Sequence, residues 1–134
     1  MGKVTGIGGI FFKASDPLTS RKWYQEHLGL AIDDYGGSSF LWRERENPNR
    51  IGRTIWSPFP QDTKYFDPSR ASFMVNFRVD NLDELLAQLR AAGVRLDEKV
   101  EEYGYGKFGW IYDPDGNKIE LWEPRGEEGQ QSSG

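Results

Sequence analysis

The sequence predicts an α+β domain made of two tandem βαβββ modules. Two observations carry that reading. A helical pattern running from Leu18 closes on Leu28-Gly29-Leu30, and a second running from Leu82 closes on Ala92-Gly93-Val94, so one helix-and-stop unit occurs twice. Each unit follows one strand-like run and precedes three more. The chain of 134 residues matches the length of a single ordinary domain, so the two units share one body.

Ile7 to Ala14 reads as the first strand and carries Gly8 and Gly9 near its start. Ser15-Asp16-Pro17 opens the first helix. Asp16 is the cap, and Pro17 stands at the first helical position, where its missing N–H has no partner to lose. Tyr24 and Leu28 share a helix face, and Gly29 ends the helix. Ala31–Asp34 reads as a short strand, Tyr35-Gly36-Gly37-Ser38 as a turn and Ser39–Arg45 as a strand. Asn47-Pro48-Asn49 is the next turn, and Ile51–Trp56 the next strand.

The linking loop, 58–70, holds Pro58, Pro60 and Pro68 together with Phe59, Tyr65 and Phe66. Loops this long are uncommon without a function, and the rings argue against disorder. Ser72–Val79 restarts the pattern as a strand. Asp80-Asn81 open a helix whose Leu82, Leu85, Leu86 and Leu89 form one apolar stripe, ended by Gly93. Val94–Val100, Phe108–Tyr112 and Lys118–Glu123 are the remaining strands, with a tight turn at Asp113-Pro114-Asp115-Gly116-Asn117. The expected organisation is therefore one domain at 1–124, with modules at 4–57 and 71–124. The segment 125–134 has no core-forming side chain and is expected to be a disordered tail.

Composition narrows the function. Hydrophobic residues make up 37% and aromatics 14%, so the core must lean on rings. The formal charge of −4 argues against nucleic acid, whose phosphates require clustered Lys and Arg, and is compatible with a cationic ligand. No apolar run reaches the ~18 residues of a membrane helix. Met1 to Ile10 has Gly and Thr where a signal peptide needs an apolar stretch, so a cytoplasmic location is expected. The chain has 0 Cys, which excludes disulfides, thiolate metal sites and Cys nucleophiles. His27 is the single His, so a metal would have to be held mainly by carboxylates and amides, the donors of harder divalent ions.

Three motifs point to a family. They are Trp23-Tyr24-Gln25-Glu26-His27-Leu28-Gly29-Leu30, then Arg78-Val79-Asp80-Asn81-Leu82, then Asp113-Pro114-Asp115-Gly116-Asn117-Lys118-Ile119-Glu120-Leu121. Together, over roughly residues 4–124, they resemble the vicinal oxygen chelate superfamily, which includes glyoxalase I, bleomycin- and fosfomycin-resistance proteins and extradiol dioxygenases. The resemblance implies a cupped mixed sheet with helices on its outer face, a ligand site in the cup, and a homodimer.

Strand alternation then sorts side chains. Phe73, Val75, Phe77 and Val79 fall toward the second helix, and Met74, Asn76 and Arg78 toward the cup. On the first strand Ile10, Phe12 and Ala14 fall toward the helices, and Gly9, Phe11 and Lys13 toward the cup. On the last strand Lys118, Glu120 and Trp122 fall toward the cup. Trp42, Trp56 and Trp110 join the expected ligand-binding set, because the rings exceed what one small core needs.

The resemblance places metal ligands at Gly9, Met74 and Glu120. Gly9 has no side chain, and a thioether is a poor ligand for hard ions, so no metal cofactor is expected. Glu120 reads either as an ion-pair partner of Arg78 or Lys13, or as a base whose carboxyl burial would raise in pKa. His27 sits at a helix end away from the cup and reads as a surface residue suited to the helix dipole. The expected function is metal-free binding of a small organic ligand in an aromatic cup. The alternative is a lyase, isomerase or dioxygenase-like enzyme using Glu120 as base or metal ligand.

Overall fold

Both helices start and stop on the residues that signal them. The computed structural model describes residues 2–125, so the expected tail lies outside the described residues beyond Arg125. The elements are β1 (Lys3–Ala14), α1 (Pro17–Leu28), β2 (Ser38–Arg43), β3 (Ile51–Pro60), β4 (Phe73–Asp80), α2 (Leu82–Ala91), β5 (Leu96–Tyr103), β6 (Gly106–Tyr112) and β7 (Lys118–Pro124). The Asp16 carboxylate accepts from the N–H of Thr19, and Gly29 closes α1 at a φ of 71°. Asn81 caps α2 by accepting from the Glu84 N–H. The Glu123 carboxylate of β7 accepts from the Leu82 N–H at 2.6 Å, which fastens the start of α2 to the sheet.

The seven strands form one mixed sheet in the order β2-β3-β1-β4-β7-β6-β5. β1 runs parallel to β3, and β4 parallel to β7, while β1 and β4 meet antiparallel in the middle. The two halves thus repeat the same parallel pairing on either side of a central seam.

Two elements depart from the sequence reading. Ala31–Asp34 is not a strand. The Asp33 carboxylate accepts from the N–H groups of Tyr35 and Gly37, so a local turn captures the donors that a ladder would need. The first half therefore has two strands after its helix and the second has three. β3 also runs on through Pro58 to Pro60. β2 pairs with β3 only as far as Trp56, so beyond it the outer side of β3 has no strand to bond, and proline is tolerated there.

Apolar packing lies on both faces. On the outer face Leu82 and Leu86 of α2 pack on Val79 and Leu121, flanked by Phe77, Ile111 and Ile119. This matches the outward alternation of β4 and β7. On the concave face Phe66, Met74 and Trp110 are buried together beside Phe11, Phe59 and Phe108. Phe66 arrives from the loop 61–72, which crosses the sheet. α1 is a lighter cover. Tyr24 packs against Phe12 and Trp56, but Leu18 is 56% exposed.

This contrast generates a prediction. Leu121→Ala opens a cavity under α2 and is expected to destabilise the fold by about 2–4 kcal/mol in urea unfolding. Leu18→Ala is expected to change stability by less than about 0.5 kcal/mol. Equal effects would mean that the two helices are equally embedded.

Candidate functional site

The concave face is assembled around a bulge in β1. Ile7 stands opposite Phe77 and Gly9 opposite Asn76, so Gly8 is the extra residue. A Cβ on Gly8 would collide with Asn76 Oδ1, so glycine is required for the Asn76 side chain to lie where it does. Asn76 and Glu120 are register partners on the parallel strands β4 and β7, and Trp110 of β6 stands directly opposite Glu120.

Register therefore brings donors to one carboxyl group. Asn76 Nδ2 donates to Glu120 Oε1 at 2.6 Å. Trp110 Nε1 donates to Glu120 Oε2 at 3.0 Å. The Tyr65 hydroxyl, reaching in from the loop, donates to the same oxygen. Glu120 is only 3% exposed. Burial raises its pKa above the ordinary 4.5, against the opposite pull of these donors. Burial and the neighbouring Glu120 push the Tyr65 phenol up as well, so it remains a proton donor to the carboxyl.

Beside this cluster lies a cavity of about 490 Å³. Its walls are Phe11, Ile55, Tyr35, Tyr105, Phe108 and Trp122. Phe108 stacks on Trp122 at an interplanar angle of 11°. The polar groups in the lining are Arg53, Asn76 and Glu120, with Gly8 between them. Tyr35 is 95% exposed and stands at the rim.

Of the residues singled out in the sequence, Phe11, Asn76, Glu120 and Trp122 come together here. Met74 and Trp110 lie behind the wall in the buried aromatic cluster. Lys13 sits over the Phe66 ring at 5.8 Å. Trp42 lies across Gly6 and Gly52, whose missing Cβ atoms make room for its ring, and its Nε1 donates to Thr54 Oγ1. Trp56 is on the other face, against Phe12 and Tyr24.

The expected pairing of Glu120 with Arg78 or Lys13 does not form. Arg78, 1% exposed, pairs instead with Glu44 at 2.9 Å, bonds Thr5 Oγ1 at 2.5 Å and lies over the Trp42 ring. The reason is depth along the strand. Arg78 is a register partner of Trp122, one step beyond the Glu120 pairing, and the large indole occupies that position. His27 packs on Trp23 in α1, on the face away from the cavity. In the turn before β7, the Asp113 carboxylate accepts from Asp115 and Asn117, and these bonds hold its pKa below the usual value.

Sequence reasoning missed Arg53, Ile55, Tyr35, Tyr105 and Phe108 as lining residues. Arg53 and Ile55 alternate on β3, which was the available signal, but the inward face of β3 became readable only once Gly9 was seen opposite Ile55. Tyr105 lies in the turn between β5 and β6 and Phe108 near the start of β6, outside the motifs and the strands whose faces were sorted.

The family's metal positions do not fit a divalent ion. Gly9 contributes no donor, the Met74 sulfur is enclosed by Phe66 and Trp110, and Glu120 already accepts three hydrogen bonds. Among the described residues no group of three His, Asp or Glu side chains is arranged to hold a metal.

Solved structures with this fold include a methylmalonyl-CoA epimerase from Mycobacterium tuberculosis, 24% identical, with a TM-score of 0.61 over 98% of this chain and 93% of that one. Another is a Streptomyces coelicolor methylmalonyl-CoA epimerase in complex with 2-nitronate-propionyl-CoA, 14% identical, with a TM-score of 0.65 over 92% of this chain and 100% of that one. A superfamily member from Vibrio splendidus 12B01 is 12% identical, with a TM-score of 0.54 over 92% and 99%. No curated protein sequence matches the chain at a significant level. The family model for the Glyoxalase/Bleomycin resistance protein/Dioxygenase superfamily matches residues 6–121, and with the cupped sheet, the repeated parallel pairings and the Glu120 position on β7, the chain belongs to that superfamily.

Proposed function

We propose that this protein binds a small organic molecule in its concave cavity and does so without a metal ion. The cavity carries the reading. It is about 490 Å³, within the range of small-molecule sites, and its rings surround a few polar groups. Flat ring faces favour a flat or amphipathic ligand. The donor set supports metal independence. To hold an ion, Glu120 would have to release Asn76, Tyr65 and Trp110, and Gly9 and Met74 offer nothing in return.

A second reading has support of its own. Glu120 is a buried carboxyl in the cavity wall with a raised pKa, which suits a base that removes a proton from a carbon acid. That chemistry would make the protein a lyase or isomerase, with Tyr65 and Asn76 orienting the carboxyl. The binding reading stands first, because every oxygen of Glu120 is already engaged by the protein. As part of the same proposal the protein works in the cytoplasm as a homodimer. Phe40 and Leu41 on the outer strand β2 are 49% and 57% exposed, which supports a partner at that edge.

Three measurements test this. Purified protein is expected to carry no stoichiometric metal by mass spectrometry, and no saturable rise in Tm with Mg, Mn, Fe, Ni or Zn. A metal retained by the native protein and lost in Glu120→Ala would overturn the metal-free reading. Solvent deuterium entering methylmalonyl-CoA, with the rate falling about 100-fold or more in Glu120→Gln, would put the proton-transfer reading first.

The third measurement is pH dependence. A folded pKa raised above 4.5 gives a contribution to stability that is complete below that pH and is lost as pH rises through the folded value. The Tm difference between native protein and Glu120→Gln is therefore expected to narrow from pH ~4.5 upward. A difference that widens would mean that the three donors outweigh burial.

A further inference from the structure

We infer that the molecule held in the cavity is a flat aromatic anion, with its acid group on Arg53 and its ring system against the neighbouring Ile55 and Phe11. This rests on the binding reading above and names the ligand class.

Arg53 is the observation that points there. It lines the cavity from β3, beside Ile55. Its Nε is buried with no acceptor, and among the described residues its guanidinium has no ion pair. Of the other cations on the concave side, Lys13 lies over the Phe66 ring and outside the cavity lining, and two more are held by protein groups. Arg78 is held by Glu44 and Thr5, and Lys118 donates to the carbonyl oxygens of Tyr65 and Asp67. A buried donor of a charged group without an acceptor is costly, and a planar guanidinium matches a carboxylate with two parallel hydrogen bonds.

The position of Arg53 also settles orientation. β3 and β7 are separated by β1 and β4, so Arg53 and Glu120 stand three strand spacings apart, roughly 14 Å along the sheet. An acid group on Arg53 therefore avoids Glu120. Ile55 stands beside Arg53 on β3 and Phe11 follows on β1, so the lining next to the guanidinium is apolar, and Asn76 on β4 precedes Glu120. A cation would instead meet an unpaired guanidinium at one wall and, at the other, a carboxyl whose oxygens are occupied.

The experiment is isothermal titration calorimetry with three probes of one shape: 2-naphthoate, neutral 2-naphthamide and 2-naphthylmethylammonium. The naphthoate is expected to bind about 10-fold or more tightly than the naphthamide, the size of effect expected for one charge-assisted hydrogen-bonded contact. Arg53→Met, with folding verified by circular dichroism, is expected to weaken naphthoate about 10-fold or more and naphthamide by much less, so that the gap between the two probes closes. Arg53→Lys is expected to fall between. If naphthamide binds as tightly as naphthoate, or the ammonium probe binds tighter, the anion inference fails and the cavity reading stands. If none of the three binds to folded native protein, the cavity reading itself fails and this inference with it.

Discussion

The antiparallel seam between β1 and β4 makes one sheet out of two halves, and it depends on a strand that has given up its side chains. Gly6, Gly8 and Gly9 punctuate β1 along the stretch that pairs with β4. A Cβ on Gly6 would meet the Trp42 ring, one on Gly8 would meet Asn76, and one on Gly9 would meet Phe11. Glycine in a strand weakens it, since more backbone freedom is lost on folding and no side chain packs. Here that loss is offset by what the neighbouring strands place in the vacated space. Trp42 arrives from the β2 side and Asn76 from β4, and Trp122 passes close to Gly8 and Gly106. The bulge at Gly8 lets Asn76 lie under the seam, and Asn76 is the link from the seam to Glu120.

Two buried polar systems follow from this arrangement, and they are kept apart. One is Glu120 with its three neutral donors. The other is Arg78 with Glu44 and Thr5, to which Arg50 adds a contact at 3.3 Å from the exposed side. The first satisfies an acid whose charged form is penalised by burial; donors from side chains of three separate segments compensate for the lost water. The second is an ion pair removed from water, where the attraction between the charges must offset a large desolvation penalty. Had Arg78 paired with Glu120, the two systems would have merged and the cavity floor would have been a closed salt bridge. Their separation leaves the floor as a hydrogen-bonded carboxyl and leaves Arg53 as the guanidinium in the cavity lining.

Much of this could be read from the chain. The caps at Asp16 and Asn81, the stops at Gly29 and Gly93, the leucine stripe of α2 and the alternation of β4 and β7 are local features, decided by residues within a few positions of each other. Local chemistry also explains the failure at Ala31–Asp34, where the Asp33 carboxylate competes for the backbone donors. The family motifs are local as well, so membership and the poor metal donors at Gly9 and Met74 are legible in the sequence.

What the sequence determined, then, is both helices, the seven strands that form, the faces of β1, β4 and β7, and the superfamily. Only the tertiary structure decided the partners of Glu120, the diversion of Arg78 to Glu44, the placement of Trp56 on the helix side and the entry of Arg53 into the cavity. The physical reason is that these contacts join residues far apart in the chain. Asn76 and Glu120 are 44 positions apart, and Tyr65 and Glu120 are 55 apart. Such pairs are set by register, by one bulge and by the path of a loop across the sheet, none of which is encoded within a short window of sequence.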